Sequence, residues 1–256
     1  MIIKKIWSVL LDLFFLKKCV GCGEHISFLP DFLCHRCRSS FDEEIETGCF
    51  GCGKPYYACR CKPEFLSGKT LITTMPYKNE NSVSRDLIIS CKRKRNRKVF
   101  NELAENMADA LRKNGITENF AVTFTPRSPK AVAKCGFDQA ELLAKQIAKK
   151  TDMPFVRIIE CRDTNEEQKF LKMKLRQDNA HKRFFIPKRR VSEVNSASFI
   201  LVDDVVTSGA TLNRCADLLY SSGANEVICL GASRTVGDIH PVATEKYIQT
   251  TSEKGE

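Results

Sequence analysis

The C-terminal two thirds of the chain alternates between short apolar runs and segments in which apolar residues recur every three or four positions. Short apolar runs are typical of buried parallel strands, and longer periodic segments are typical of helices that pack one face on a sheet. We predict strands at residues 70–77, 121–125, 155–159, 199–202 and 226–230, and helices at residues 99–113, 137–150 and 212–222. This alternation predicts an α/β fold built on a doubly wound parallel sheet.

The N-terminal third of the chain lacks this alternation. Residues 1–16 are largely apolar apart from a lysine pair and Asp12, which predicts an amphipathic helix that packs on the protein or on a partner. The stretch is too short to span a bilayer, and contact with a membrane surface is the less favoured alternative. With no other long apolar run, we expect a cytoplasmic protein without a membrane span. The expected units are a small module at residues 1–66, an α/β domain at 67–236 and a loosely ordered tail at 237–256.

The predicted strand at residues 199–202 runs directly into two adjacent carboxylates, Asp203 and Asp204. Small and hydroxyl-bearing residues follow before the next helix: Thr207, Ser208, Gly209, Ala210 and Thr211. Backbone amides of such a loop and of a helix start attract phosphate, and open α/β sheets bind ligands at this end of their strands. Because carboxylates suit vicinal hydroxyls, the segment predicts a ligand with ribose hydroxyls next to a 5′-phosphate. An ordinary strand, turn and helix with a surface acidic pair is the alternative.

Eight of the thirteen cysteines lie within the first 61 residues, as four closely spaced pairs. A Cys-x-x-Cys pair places two thiolates on one side of a turn, and two pairs form the closed Cys₄ site that is typical of structural zinc. The simplest arrangement is sequential, with one site formed by Cys19, Cys22, Cys34 and Cys37 and a second by Cys49, Cys52, Cys59 and Cys61. An interleaved arrangement, disulfides and an iron–sulfur centre are alternatives. Because the second set ends in a Cys-x-Cys pair, we expect one or two zinc ions.

The acidic pair and the following loop resemble the motif with which type I phosphoribosyltransferases bind 5-phosphoribosyl 1-pyrophosphate (PRPP). The resemblance implies that Asp203 and Asp204 hold the ribose hydroxyls, with Mg²⁺ bound directly or through water. It implies that residues 207–211 hold the 5′-phosphate. A zinc-ribbon module ahead of such a domain resembles the ComF family, also described as GntX-like, and residues 125–140 and 162–184 carry further stretches similar to that family.

The ComF resemblance implies further site residues and partners. Six polar residues become candidates for the pyrophosphate end of PRPP or for a loop that covers it: Arg127, Ser128, Lys130, Arg162, Gln168 and Arg176. Family members act beside a helicase in the uptake of transforming DNA, which implies a competence role and a helicase partner. The chain departs from the family pattern at Cys135, where arginine is usual, and at Asp138, where asparagine is usual.

The formal net charge is +10, and the positive excess is concentrated in two stretches. Basic clusters of this kind attract polyanions by Coulomb steering and counterion release. We expect the second stretch, within residues 169–190, to contact phosphates near the site. We expect the first stretch to bind single-stranded DNA, with a merely solvated face as the alternative, through Lys92, Arg93, Lys94, Arg95, Arg97 and Lys98.

Two functional classes follow from these observations. In one, the chain is an enzyme in which a nitrogen nucleophile of an unidentified base displaces pyrophosphate from PRPP, chiefly through positioning and anion stabilisation. In the other, the chain is a DNA-handling factor of the competence system whose PRPP pocket senses a ligand. We favour the second class, because no base-selecting segment is recognisable beyond the cysteine-rich module.

Overall fold

The computed structural model describes residues 17–26, 31–66, 68–78, 82–93, 95–163 and 183–235, without the side chains of Glu64 and Arg93. The predicted amphipathic helix at residues 1–16 and the predicted tail at residues 237–256 lie outside these ranges. Within the described ranges, no helix combines the length and the hydropathy that crossing a lipid bilayer requires.

Strands and helices alternate along most of the described chain. The strands are β1 Thr70–Tyr77, β2 Ala121–Phe124, β3 Glu160–Cys161, β4 Phe184–Phe185, β5 Ser198–Val206 and β6 Glu226–Thr235. The α-helices are α1 His35–Glu46, α2 Val83–Arg93, α3 Arg97–Lys113, α4 Pro129–Cys135, α5 Gln139–Thr151, α6 Val191–Val194 and α7 Ala210–Ser221. Short 3₁₀ turns lie at Tyr56–Ala58, Glu64–Leu66 and Lys188–Arg190.

A parallel sheet of four strands, in the order β1-β6-β5-β2, forms the centre of the fold. Alternate residues of β5 serve two different cores. Ile200 and Val202 pack in the cluster that includes α3 and α5, whereas Phe199 and Leu201 pack in the cluster that includes α7. The sheet is therefore covered by helices on both faces, which confirms the predicted doubly wound α/β class.

The strand predicted at residues 155–159 is wrong in its extent. Phe155 pairs with Val122 through a single parallel bridge beside β2, and no longer ladder forms there. Ile158 and Ile159 are instead buried in the α7-side core. Packing rather than strand pairing holds this segment in place. Its apolar run therefore reflects burial in the core and not the strand that the hydrophobic pattern predicted.

The segment between β2 and α5, where no element was predicted, contains a helix, α4. Ser128 is its N-cap, with the hydroxyl oxygen accepting a hydrogen bond from the Ala131 N–H at 3.4 Å, and Pro129 occupies the first turn. Gly136 ends the helix in the left-handed region, at a φ of +80°. These are ordinary start and stop signals, but the helix is only 7 residues long and buries none of them, so hydrophobic periodicity could not detect it.

The carboxylate of Glu44 on α1 joins the cysteine-rich segment to the start of α2. Its Oε2 accepts hydrogen bonds from the hydroxyls of Ser82 and Ser84, at 2.9 and 2.6 Å, and from the Ser84 N–H at 3.0 Å. Its Oε1 accepts the N–H of Val83 at 2.9 Å. Glu44 is buried and therefore caps α2 from another part of the chain, where the helix dipole favours a negative charge.

We predict that Glu44→Ala lowers the free energy of unfolding by about 2 kcal/mol, because buried hydroxyls and amides lose their acceptor. Glu43→Ala removes an exposed carboxylate from the same helix and should change the free energy of unfolding by less than about 0.5 kcal/mol. Urea unfolding with zinc present measures both variants. Equal effects of the two substitutions would contradict the capping role of Glu44.

Candidate functional site

Asp203 and Asp204 occupy the carboxyl end of β5, between the neighbouring strands β6 and β2. The Asp204 N–H donates to Asp203 Oδ1 at 2.9 Å, and the Val205 N–H donates to Asp204 Oδ1 at 2.8 Å. Both aspartates are only partly buried and line an open cleft of about 300 Å³. The predicted acidic pair therefore lies at the edge of the sheet where doubly wound folds bind ligands.

A nearby positive charge would stabilise the adjacent carboxylates of Asp203 and Asp204. Burial raises the pKa of Asp203 well above its ordinary value, and the charge of Asp204 raises this pKa further, while hydrogen bonds from the Asp204 amide and from Thr125 oppose the shift. Lys92, at the end of α2, lies close by, with its Nζ 3.6 Å from Asp204 Oδ2. Such a pair favours a cation, and its oxygen atoms are the ligands that Mg²⁺ prefers.

Gly209 shapes the loop between β5 and α7. It adopts the left-handed conformation, with a φ of +79°, and forms the N-cap of α7. A Cβ at this position would lie 2.7 Å from Leu66 Cγ, so a side chain is excluded by contact as well as by backbone conformation. Glycine is therefore required both by the turn and by the packing of the cysteine-rich segment against it.

The loop leaves hydrogen-bond donors accessible at the start of α7. Thr207, Ser208, Ala210 and Thr211 are exposed, and no side chain caps this helix among the described residues. The contact that most resembles a cap is a 3.4 Å hydrogen bond from the Ala210 N–H to the Ser208 hydroxyl oxygen. Amides of a first helical turn, at the positive end of the helix dipole, form a site for an anion such as phosphate.

Basic side chains from three parts of the chain meet in the same cleft. Lys92 comes from α2, Arg127 from the segment after β2, and Arg183 from the position just before β4. Thr211 lines the cleft from the start of α7. The cleft thus combines carboxylates, the first turn of a helix and cations within one small volume.

The other candidates for the pyrophosphate end lie elsewhere or outside the described residues. Ser128 caps α4, and Lys130 is exposed, with its N–H donating to Asp163 Oδ1 at 2.9 Å. The Arg162 guanidinium lies 4.3 Å from the ring centre of Phe185. None of these three is among the residues that line the cleft. Gln168 and Arg176 lie outside the described residues, and their proposed roles stay predictions.

Sequence reasoning missed one cleft residue, Gln139, and assigned Lys92 to DNA alone, whereas Arg183 belongs to the stretch at residues 169–190 that was expected to contact phosphates near the site. Gln139 Oε1 accepts a hydrogen bond from Arg127 Nη1 at 2.6 Å. Its Nε2 is buried and has no hydrogen-bond partner within the described chain. The position of Gln139 beside Asp138 in the family-like stretch was the one signal that could have singled it out.

The two departures from the family pattern have clear positions. Asp138 is buried and accepts the N–H groups of Arg127, Ala140 and Glu141, at 2.7, 3.0 and 3.4 Å. Burial raises its pKa, and these hydrogen bonds oppose the shift. Asp138 therefore caps α5 and fixes the backbone of Arg127. Cys135 ends α4, with its Sγ 3.8 Å from Arg127 Nη1. It therefore contacts Arg127, which lines the cleft, but does not line the cleft itself.

The eight N-terminal cysteines gather in two groups, with all sulfur atoms of a group within 4.8 Å of one another. The groups are the sequential ones, Cys19, Cys22, Cys34 and Cys37, and Cys49, Cys52, Cys59 and Cys61. The interleaved arrangement is therefore wrong. All thirteen cysteines are free thiols, which also argues against the disulfide alternative.

The sulfur geometry of both groups fits a tetrahedral metal ion. Cys22 and Cys34 have their Sγ atoms 3.8 Å apart, and Cys52 and Cys59 have theirs 3.5 Å apart. Zinc–sulfur bonds of about 2.3 Å imply sulfur separations of about 3.8 Å. Backbone N–H groups point at the sulfur atoms, as from Cys34 to Cys19 Sγ at 3.3 Å, which favours thiolates. Each group could hold a structural zinc ion.

The first basic run is divided by the fold. Lys92 faces the cleft, whereas Arg95, Arg97 and Lys98 are exposed at the start of α3. Arg97 and Lys98 also line a surface groove of about 560 Å³ shared with Phe32 of the cysteine-rich segment. Lys94 and the side chain of Arg93 lie outside the described part of the chain.

The chain is similar to known proteins over most of its length. Residues 131–232 match the family model described as the phosphoribosyl transferase domain. Competence protein F of Haemophilus influenzae is 26% identical over 245 residues, covering 86% of this chain and 98% of that protein. Competence protein ComFC of Streptococcus pneumoniae is 25% identical over 227 residues, covering 82% and 96%.

Among solved structures, the allosteric regulatory enzyme of purine biosynthesis aligns at 20% identity and a TM-score of 0.38, covering 52% of this chain and 26% of that chain. This likeness is too weak to support an argument. The parallel sheet, the acidic pair at the end of its inner strand and the domain match define a phosphoribosyltransferase-type domain. The cysteine groups ahead of it and the similarity to competence proteins over most of the chain confirm the resemblance to the ComF family.

We predict that the purified protein carries two zinc ions and that Cys52→Ser retains one, because three thiolates hold zinc less tightly than four. Cys135→Ser, which changes a half-buried cysteine outside both groups, should retain two. Elemental analysis of the metal-to-protein ratio measures all three proteins. Two zinc ions in Cys52→Ser would show that the second group is not a metal site.

Proposed function

We propose that the chain binds PRPP and acts in natural competence, where it handles single-stranded DNA during uptake. The supporting observation is the cleft itself, which combines an acidic pair, a phosphate loop and three basic side chains. The names of the similar proteins, competence protein F and ComFC, support the biological role. A helicase partner is a part of this proposal that rests on the ComF resemblance, and a cytoplasmic location is a further part that rests on the hydropathy of the sequence.

Each part of PRPP has a chemical counterpart in the cleft. The carboxylates of Asp203 and Asp204 would accept hydrogen bonds from the ribose hydroxyls, and residues 207–211 would donate amides and hydroxyls to the 5′-phosphate. Lys92 and Arg127, which line the same cleft, would be the cations available to the pyrophosphate. The volume of about 300 Å³ lies at the small end of ligand sites, which suits a compact sugar phosphate.

A magnesium ion fits the acidic pair by the chemistry of its donors. Asp203 and Asp204 offer hard carboxylate oxygens, and the approach of the Lys92 ammonium to Asp204 indicates that the pair attracts a cation. When bound, the ion would neutralise part of the pyrophosphate charge and help to orient the ribose. Lys92 would then be released to contact a pyrophosphate oxygen.

We predict that Asp204→Asn weakens PRPP binding by about 10- to 100-fold, because charge-assisted hydrogen bonds to the ribose are lost at about 1.5–3 kcal/mol. Asp109→Asn removes a half-exposed carboxylate on α3, outside the cleft, and should leave the affinity unchanged. Titration calorimetry with PRPP and Mg²⁺ measures both variants, and zinc content checks that each is folded. Equal affinity in Asp204→Asn and the parent protein would refute the ribose assignment.

The DNA part of the proposal depends on a different surface. Arg95 and Arg97 project from the connection between α2 and α3 and are exposed. Arg97 lines a surface groove, where its guanidinium offers a cation for the phosphates of the DNA backbone. Such contacts bind single strands without requiring a particular sequence.

We predict that the pair of substitutions Arg95→Gln and Arg97→Gln weakens binding of single-stranded DNA and flattens its salt dependence. The logarithmic slope against salt concentration should fall by about 0.7 for each phosphate that the protein no longer neutralises. Lys113→Gln with Lys149→Gln removes the same charge from exposed positions elsewhere and serves as the control. Fluorescence anisotropy across a salt series measures the slopes. Identical slopes for the two double variants would assign DNA binding to another surface.

Turnover of PRPP is the second candidate function. The basic side chains that line the cleft favour it, since a leaving pyrophosphate needs positive charge. Gln139, with a buried N–H group that lacks a partner within the described residues, could help to place either the leaving group or an acceptor base. An enzyme and a ligand-sensing DNA factor would share the same PRPP site.

We predict that the protein releases no pyrophosphate from PRPP when purine, pyrimidine and pyridine bases are added one at a time. A coupled assay for pyrophosphate measures the release, with an active phosphoribosyltransferase as the positive control. Release with a single base, abolished by Asp204→Asn, would establish the enzyme instead and leave the PRPP site assignment intact.

A further inference from the structure

Arg234, near the end of β6, brings a buried positive charge to the second cysteine group. Only 2% of the residue is exposed, and its Nη2 donates hydrogen bonds to Cys49 Sγ at 3.1 Å and to Cys59 Sγ at 3.3 Å. Its Nη1 donates to the Cys61 carbonyl oxygen, and the guanidinium lies 5.4 Å from the ring centre of Tyr56. A buried guanidinium is stable only when it is paired, and here the paired groups are cysteine sulfurs.

The charge balance explains why a cation is needed at this group. Four thiolates around one divalent ion leave a net charge of about −2. Hydrogen bonds from Arg234 to two of the sulfur atoms offset part of that charge inside the protein. In the first cysteine group, the Arg36 guanidinium interacts with the Cys22 thiol, but Arg36 is exposed and also pairs with Glu24, whereas Arg234 is buried.

The backbone of Arg234 is tied to the phosphate loop. In the parallel pairing of β5 with β6, Arg234 is the register partner of Val206, the last residue of β5 before the loop. The neighbouring Thr235 hydroxyl donates to the Val206 carbonyl oxygen at 3.5 Å. The residue that neutralises the cysteine group therefore also anchors the point where the loop begins.

The cysteine group reaches the same loop along a second path. After Cys61 the chain turns through Pro63 and Leu66, and Leu66 is fully buried against Gly209, the N-cap of α7. A Cβ on Gly209 would lie 2.7 Å from Leu66 Cγ and 3.5 Å from Pro63 Cβ. Further along, Lys69 Nζ pairs with Asp217 of α7 at 2.6 Å. The segment after the cysteines thus packs along α7 from its first residue.

We infer that Arg234 is a positioning residue through which the second cysteine group, with its zinc ion, holds the phosphate loop in the conformation that receives an anion. The inference rests on the proposed function only for the identity of that anion. Loss of zinc from this group releases Arg234 on one side of the loop and Leu66 on the other. Zinc occupancy then controls ligand affinity from outside the cleft, since none of these residues lines it.

The first test measures zinc affinity by competition with a chelator. Arg234→Gln should weaken one of the two zinc ions by about 10- to 100-fold, the usual effect of removing a residue that hydrogen-bonds to metal ligands. Arg234→Lys, which keeps the charge but loses the two-pronged geometry, should recover part of the loss. Arg38→Gln is the matched control, because Arg38 pairs with Asp31 and Glu102 rather than with sulfur. Unchanged zinc affinity in Arg234→Gln would overturn the inference.

The second test follows hydrogen exchange of the amides at residues 206–212, without any ligand. Exchange should be faster in Arg234→Gln, and also in Cys52→Ser, which reaches the same state if the arginine variant fails to fold. Arg38→Gln should exchange as the parent protein does. Unchanged exchange in zinc-depleted Cys52→Ser would overturn the coupling. If exchange responds but the parent protein binds no PRPP, the coupling stands and the proposed ligand is wrong.

Discussion

The parallel pairing of β5 with β6 is the constraint on which the site depends. Its register places Asp203 beside Gly231 and Val206 beside Arg234. A Cβ on Gly231 would lie 2.4 Å from Val206 Cγ2, so the absence of a side chain there lets Val206 pack closely before the chain turns into the phosphate loop. One strand pair therefore fixes the acidic groups, the start of the loop and the arginine that reaches the second cysteine group.

The cysteine-rich segment is part of the main core rather than an appendage. Leu33 and Phe41 lie in the same buried cluster as Ile72 of β1 and Leu103 of α3. Metal binding of about 10–16 kcal/mol, typical of structural zinc, would therefore stabilise the surface on which α2 and α3 rest. The hydrogen bonds from the start of α2 to Glu44 likewise make α2 depend on the cysteine-rich segment. This shared packing gives a physical reason for the cysteine-rich module to accompany the α/β domain.

The basic residues at positions 92–98 are divided between the cleft and the solvent-exposed surface. Lys92 balances Asp204 inside the cleft, whereas Arg95 and Arg97, a few positions later, face solvent. The helix break at Asn96 separates them, because its side chain caps α3 and turns the chain. A charge run that is continuous in sequence is therefore two features in space, one lining the cleft and one facing solvent.

The amino-acid sequence by itself determined the class of fold, the acidic pair with its loop and the eight cysteines. Each of these features is recognisable within short segments, because strand, loop and Cys-x-x-Cys patterns follow from local backbone chemistry. Even so, α4 was missed despite its clear caps, because it buries none of its residues. The extent of the strand at residues 155–159 was misjudged, since an apolar run cannot distinguish packing from pairing.

Only the tertiary structure decided which of these pieces meet. Lys92 and Arg183 reach the cleft from elements separated by long stretches of chain, and Arg234 meets Cys49 and Cys59 across most of the chain. Such contacts leave no periodic or spacing signal, because they arise from strand order and register rather than from neighbouring residues. The choice between sequential and interleaved cysteine groups was settled in the same way, by distances that spacing alone does not fix.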